Sequence, residues 1–370
     1  MAYAPRRYPT AGARWAGFGP YYAMFPVSFA DWVIRRHSRP SDLVLDPFAG
    51  RGTAVFSAAT QERVGLGIEL NPVGWVYSRT KLAPAPREMV EKRIRKLASR
   101  GRHFQREAAA LPEFFRLCFS PSVRRFLLAA RGTLDWRHNR VDRTTMAFLL
   151  VHLHGKRTDS LSNQLRQTKA MSPQYAIRWW REREMKPPDL DPVAFLDKRL
   201  AWRYAKGVPE VTRSRVYMRD SVEYLPRLKR ELEGAGQRRV SLLFTSPPYL
   251  RVTNYHYDQW LRLWMLGGKP TARRVGGRYR GKFESPAGYR TLLRSVFGHA
   301  AGMLRRDAHV YVRTDRRKVT CDTTCEVLRD VFPGKRMIRR LRNWSQPTQT
   351  RLFGDCPERG GEVDLVLVPR

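Results

Sequence analysis

The sequence is short of cysteine, short of acid and without a long apolar run, and each shortage closes off a class of protein. Its 370 residues hold four cysteines, Cys118, Cys321, Cys325 and Cys356. They form no Cys-x-x-Cys pair and no His-rich cluster accompanies them, so neither a zinc site nor a disulfide framework is expected. Cys321 and Cys325 fall in a stretch that reads as helix, where two reduced thiols are expected rather than metal ligands. No run of about 18 apolar residues occurs, so nothing is expected to span a membrane. The opening stretch MAYAPRRYPTAGARW lacks the apolar core of a secretory signal. A soluble, cytoplasmic protein is the expectation.

Acid is scarcer still, with 33 Asp and Glu against 70 Lys and Arg, a formal net charge of +37. Such a surface repels itself and calls for a polyanionic partner. Nucleic acid is the default, because neutralised phosphates release counterions and give tight, salt-dependent binding; a coding bias toward Arg is the bland alternative. Hydrophobic residues at 42% and aromatics at 11% are those of a globular chain. The length suits one large α/β domain carrying an inserted module.

Periodicity begins near Tyr21. Phe25, Phe29, Trp32 and Val33 recur at helical spacing, and Pro26 suits the first turn of that helix. LVLDPFAGRGT (43–53) reads as a buried strand running into a Gly-rich turn, AVFSAATQ as a helix and VGLGIEL (64–70) as a second strand. This is a β-loop-α-β unit of the Rossmann kind, with its ligand expected at the carboxyl ends of the strands. From about Val73 to Ala205 no comparable strand follows, only Arg-, Trp- and Leu-rich stretches at helical spacing. Alternation resumes with SRVYMRDSVEYL and VSLLFTSPPY, then a helix from about His256 to Leu266, a Gly/Arg loop and further strands ending in EVDLVLVP. The tally is about seven strands, the last two forming an antiparallel edge pair.

Two places carry chemistry. In the first, Gly50 and Gly52 permit a tight turn and close approach of a ligand to the backbone. Glu69, 17 residues beyond Gly52 at the end of the second strand, can hydrogen-bond ribose hydroxyls. Asp46 and Pro47 precede the glycines, and an acid there suits a cationic ligand better than a pyrophosphate; a sulfonium joined to an amino-acid ammonium fits. Taken alone, the turn would also suit another α/β protein.

The second place is TSPPY (245–249), at the end of an apolar strand. Two successive prolines fix φ and remove two N–H donors, leaving a rigid line of acceptors: the Ser246 hydroxyl and the carbonyls of Ser246 and Pro247. Such a line can receive both hydrogens of an aromatic amine and localise its lone pair. Tyr249 offers a flat face for a flipped-out base. An exocyclic amine needs positioning and acceptor dipoles more than a strong base, and no cysteine stands by for covalent attack on a ring carbon.

With both motifs in one chain, the sequence resembles the amino-methyltransferase superfamily of DNA methylases, the N4-cytosine/N6-adenine enzymes of restriction-modification type. The resemblance covers roughly 20–85 and 210–370, through YYAMFPVSFADWVIRRHSRPSDLVLDPFAGRGT, GIELNP, VYMRDSVEYL, TSPPY and NYHYDQWLRLWMLG. The last looks like a helix lining the target pocket, and FLLVHLHGKRTDSLSNQLRQTKAMSPQYAIRWW resembles a segment of some of these enzymes. The resemblance implies a Rossmann-like fold that uses S-adenosyl-L-methionine. Asp46, Pro47, Phe48, Gly50, Gly52 and Thr53 would hold the methionine part, Glu69 the ribose and Asp220 the adenine. Ser246, Pro247, Pro248 and Tyr249 would carry the target base. Ser at the first motif position points to N4 of cytosine, whereas Asp or Asn is commoner for N6 of adenine. Duplex DNA with its target base flipped out is the implied partner, with a cognate restriction endonuclease beside it in a prokaryotic, nucleoid-associated setting. Arg51 departs from the small residues the family often has there, and its side chain is expected to point away from the cofactor or to contact DNA.

The resulting organisation is a basic arm over 1–20, a methyltransferase domain over 21–85 and 210–370, and a helical insertion over 86–209 that serves as a DNA-recognition module. His152 and His154, two apart, lie on different helix faces, which argues against a shared metal. Trp179 and Trp180 are either a wedge for a base stack or core residues. The basic loop 267–282, GGKPTARRVGGRYRGK, reads as a phosphate contact. Three other readings stay open: adenine N6 in DNA, an amine on an RNA base, and a catalytically silent DNA-binding relative.

Overall fold

The computed structural model describes residues 8–21, 25–236, 239–250, 255–272, 285–342 and 361–370. The chain divides into two compact units, one of 1–21, 79–210 and 256–273, the other of 22–78, 211–255 and 274–370.

The second unit is built on a seven-stranded sheet. Its strands are β1 (Leu43–Asp46), β2 (Val64–Glu69), β3 (Arg215–Met218), β4 (Val240–Thr245), β5 (Leu304–Asp315), β6 (Lys335–Arg342) and β7 (Glu362–Pro369). They stand in the order β3-β2-β1-β4-β5-β7-β6. The first five are parallel, and β7 runs antiparallel to both β5 and β6. Continuous apolar runs such as LVLD and VSLLF suit central strands covered on both faces. Leu43 and Leu45 face one core, with the helices Ser221–Gly234, Pro286–Ala301 and Lys318–Val331, while Val44 faces the other, with Val27–His37 and Thr53–Ala59. The strand order reverses between β1 and β4, and a crevice at the carboxyl ends of strands flanking such a reversal is where open α/β sheets bind ligands.

The expected terminal antiparallel pair is present, but its second member is not at the edge. EVDLVLVP buries Val363, Leu365 and Leu367 in one core and Val366 in the other, so it needs neighbours on both sides. KRMIRRLR, basic at five of eight positions, suits an edge that must not pair with another chain. The first helix also differs in detail. Pro26 is its N-cap rather than part of its first turn, and it buries Ala30, Val33 and Ile34 while Trp32 stays 41% exposed.

The first unit is helical, with an isolated bridge between Gly155 and Gln164. It takes in the stretch expected to be an arm: Thr10 caps a helix over Ala11–Ala16, and Trp15 and Phe18 are fully buried against Tyr204 and Phe148. Burying two large aromatic rings ties this stretch to the helical unit. The helix expected from His256 to Leu266 is two short pieces, Tyr255–Asp258 and Trp260–Met265. The second belongs with the helical unit because the buried Arg262 guanidinium donates to the carbonyls of Leu150 (2.9 Å) and Gln167 (2.6 Å).

Candidate active site

The site grows from the end of β1. Asp46 is buried, and its Oδ1 accepts hydrogen bonds from the Phe48 amide (3.1 Å) and from the Thr245 hydroxyl (2.6 Å) at the end of β4. Pro47 offers its carbonyl to the Ser221 hydroxyl, and the Phe48 ring packs on the core. The chain then turns through Gly50 and Gly52 with φ of 53° and 72°. At Gly52 a Cβ would lie 2.7 Å from Ser78 Oγ, so the turn has room for glycine alone. Gly52 is also the N-cap of the helix Thr53–Ala59, whose first residue, Thr53, accepts from Arg51 Nε at 3.2 Å. Arg51 is itself buried, folded back on its own helix rather than extended toward a polymer.

At the end of β2, Glu69 Oε2 accepts from the Gly50 amide (2.6 Å) and Oε1 from the Asn71 amide (2.7 Å). A carboxylate has about four lone-pair sites, so capacity for ribose hydroxyls remains. Beyond β3, Asp220 caps the helix Ser221–Gly234 by accepting from the Val222 amide at 2.9 Å. Asp46, Glu69 and Asp220 thus stand at the ends of adjacent strands. Among the described residues neither Asp46 nor Glu69 makes a salt bridge. Burial pushes the Asp46 carboxyl up to about 7 against its hydrogen bonds to Thr245 and Phe48. Burial pushes Glu69 up to about 8, its backbone hydrogen bonds opposing and the nearby Asp46 adding to the rise. Two buried acids without a counter-cation, beside a turn open only to glycine, form a cradle suited to a positively charged nucleoside ligand.

The SPPY segment follows β4 directly and is held at three points. Thr245 is tied to Asp46 as above. Tyr249 donates its hydroxyl hydrogen to Glu362 Oε1 (3.3 Å) and accepts from Ser246 Oγ (3.5 Å). Arg317 donates to the Leu250 carbonyl at 2.6 Å. Pro247 is buried, while Ser246 and Pro248 are half-buried. Tyr249 is only 6% exposed, so the open stacking face expected of it is not presented; its hydroxyl is anchored inside. Burial, with Glu362 beside it, pushes the Tyr249 phenol well up.

Behind Tyr249 lies an ionic network that the sequence reading missed. Glu362 Oε2 pairs with Arg313 (3.1 Å), and Arg313 grips Asp364 through Nε (2.7 Å) and Nη2 (3.1 Å). Tyr311 donates to the same Asp364 at 2.9 Å, and the guanidinium lies 3.5 Å from the centroid of the Phe29 ring. The available signal was a charged residue inside each of two apolar strands, VYVRTD and EVDLVLV. Thr245 and Asn71 were missed as well, each being a small polar neighbour of a motif.

Other candidates lie elsewhere. His154 is buried with Nδ1 on the Arg166 carbonyl (2.7 Å), and His152 packs on Phe195, burial pushing its imidazole down to about 3. Trp180 is fully buried and donates to the Gln164 carbonyl, so it is core; Trp179 is half-exposed under Arg183. Residues 273–282 of the basic loop lie outside the described residues.

The sheet order and the inserted antiparallel strand define the class, a Rossmann-like methyltransferase fold. A DNA methylase family profile matches residues 4–73, and over this segment the chain is similar to that family. It is 41% identical over 54 residues to the Type II methyltransferase M.Cfr9I of Citrobacter freundii, which is 15% of this chain and 18% of that protein. To the Type II methyltransferase M.MjaII of Methanocaldococcus jannaschii it is 22% identical over 90 residues, 24% of this chain and 17% of that one. The chain therefore spans less than a fifth of either curated relative. Among solved structures, TrmN from Thermus thermophilus aligns over 99% of this chain and 53% of its own at 11% identity, TM-score 0.37. The rRNA methyltransferase aviRa from Streptomyces viridochromogenes aligns over 98% and 96% at 14%, TM-score 0.34.

Proposed function

We propose that the chain transfers a methyl group from S-adenosyl-L-methionine to N4 of a cytosine flipped out of duplex DNA. The observation that carries this reading is the 2.6 Å hydrogen bond from Thr245 to Asp46, which joins the nucleoside-type turn to the amine-type motif in one crevice. S-adenosyl-L-methionine, when bound, would supply an electrophilic methyl group together with the positive charge that Asp46 and Glu69 lack.

The chain's own residues do the rest. Asp46 and the Gly50–Gly52 turn, with Pro47, Phe48 and Thr53, hold the amino-acid end of the cofactor; Glu69 receives its ribose hydroxyls and Asp220 its adenine amine. The Ser246 hydroxyl and the Ser246 and Pro247 carbonyls accept the hydrogens of the target amine and aim its lone pair. Tyr249, held by its hydroxyl, borders the base. The proton lost by the amine leaves to solvent.

Duplex DNA is favoured by the matched family, by the relatives' description as Type II methyltransferases and by the net charge of +37. In the helical unit, read as the DNA-recognition module, Lys92, Lys96, Arg100, Arg102 and Arg106 are exposed and make no salt bridge among the described residues, which suits phosphate contacts. Among the described residues no helix is long and apolar enough to cross a membrane. A cognate restriction endonuclease and a nucleoid-associated location belong to the same proposal. Serine rather than an acid at 246 favours cytosine. Tritium-methyl transfer to duplex DNA followed by nucleoside analysis tests this, with N4-methylcytosine expected. Recovery of N6-methyladenine overturns the base, labelling of RNA alone overturns the polymer, and absence of calorimetric heat with S-adenosyl-L-methionine overturns the enzyme.

A further inference from the structure

The network behind Tyr249 is costlier than a fold needs. Arg313 and Asp364 are buried directly opposite each other on β5 and β7, and Glu362 lies two residues along β7 with little exposure. Buried ion pairs often contribute no more to stability than apolar residues of the same volume, so stability alone does not account for three charges here. What distinguishes the trio is its direction. Asp364 takes two hydrogen bonds from Arg313, leaving Nη1 for Glu362 Oε2, while Oε1 faces the Tyr249 hydroxyl. Tyr249 in turn receives the Ser246 hydroxyl hydrogen, so the line runs unbroken from the middle of the sheet to the motif.

We propose that Glu362 is a positioning residue for methyl transfer: paired with Arg313 and braced by Asp364, it holds the Tyr249 hydroxyl and so fixes the ring and the Ser246 hydroxyl beside the reacting amine. The inference rests on the methyltransferase reading above. A chain of buried hydrogen bonds orients its terminal groups more strictly than separate contacts do, and displacements of about 1 Å at a reacting centre are costly in rate. Glu362 itself touches neither base nor cofactor in this scheme; it acts through Tyr249.

The test compares wild type with Glu362→Gln, Tyr249→Phe and the double variant, each checked by thermal melting. All are near-isosteric, and Arg313 keeps Asp364 in each. Each single variant is expected to lower kcat by roughly tenfold, the scale of one hydrogen bond to a charged group, with KM for S-adenosyl-L-methionine unchanged. The double variant is expected to fall no further than either single one, because both break the same link. An independent readout is the 13Cζ resonance of Tyr249 in tyrosine-labelled protein, assigned by its loss in Tyr249→Phe and expected to shift in Glu362→Gln. Unchanged kcat, losses that multiply to about a hundredfold, or a resonance that ignores Glu362→Gln overturns the proposal and leaves the methyltransferase reading standing. Wild-type protein that binds the cofactor and methylates nothing overturns that reading instead, and is recognisable because the resonance still answers to Glu362.

Discussion

The two ends of the crevice treat buried carboxylates in opposite ways. On the β1–β2 side, Asp46 and Glu69 are held by backbone amides and a threonine and make no salt bridge among the described residues. On the β5–β7 side, Glu362 and Asp364 share one arginine. With 70 basic residues in the chain, an arginine for Asp46 was hardly out of reach. The difference separates charges matched inside the fold from charges left for a ligand in the proposed function: the β7 acids are neutralised from within, whereas among the described residues no cation faces Asp46 or Glu69.

The largest expected effect breaks the self-neutralised side. Arg313→Ala leaves Asp364 buried without the Arg313 guanidinium, and urea denaturation should show a loss of about 3–5 kcal/mol. A loss below about 1 kcal/mol would mean that water already reaches Asp364. Next is the open side. Asp46→Asn removes a charge that no internal partner needs, so stability should hold while affinity for S-adenosyl-L-methionine, read by calorimetry, drops about ten- to a hundredfold. Equal affinity would remove Asp46 from the cofactor site.

A third test uses pH. The Asp46 and Glu69 carboxyls titrate near 7 and 8 in the folded chain, above the value of about 4 expected when unfolded. The folded state therefore holds their protons longer, and the stabilisation is full below about pH 4 and lost as pH rises through 7 to 8. Cofactor binding has the opposite slope, because the cation favours the ionised acids. Affinity should fall roughly tenfold from pH 8 to 6.5, with about one proton released on binding near neutrality. Calorimetry in buffers of different ionisation enthalpy reads that proton, and a buffer-independent heat would contradict the assignment. The smallest effect belongs to Arg317, whose side chain is 44% exposed. Arg317→Ala should slow methyl transfer about two- to fivefold by loosening Leu250 while shifting stability by less than about 0.5 kcal/mol, measured by initial rates and by melting.

The parts of this comparison that were legible in sequence are those written in contiguous residues. Asp46, Gly50, Gly52 and Glu69 sit in one strand-turn-helix-strand run, and TSPPY is a five-residue neighbourhood, so both could be read from local chemistry. The Arg313–Asp364–Glu362 network was not legible, because it depends on a register between strands about fifty residues apart. Helical periodicity misplaced Trp32, which lies at the rim of its stripe, and the composition of 1–20 does not reveal that Trp15 and Phe18 are fully buried. Tyr249 is contiguous with the rest of SPPY, but its orientation is decided by a partner 113 residues away.

The position of β7 bears on how the molecule is assembled. Among the described residues β6 pairs with no strand but β7, and β7 comes later in the chain. Without 362–369, β6 therefore has no strand to pair with and β5 lacks its neighbour on that side. The strand that joins them is also the one that carries Glu362 and Asp364. The grip on Tyr249 is consequently made by the same long-range pairing that closes the sheet.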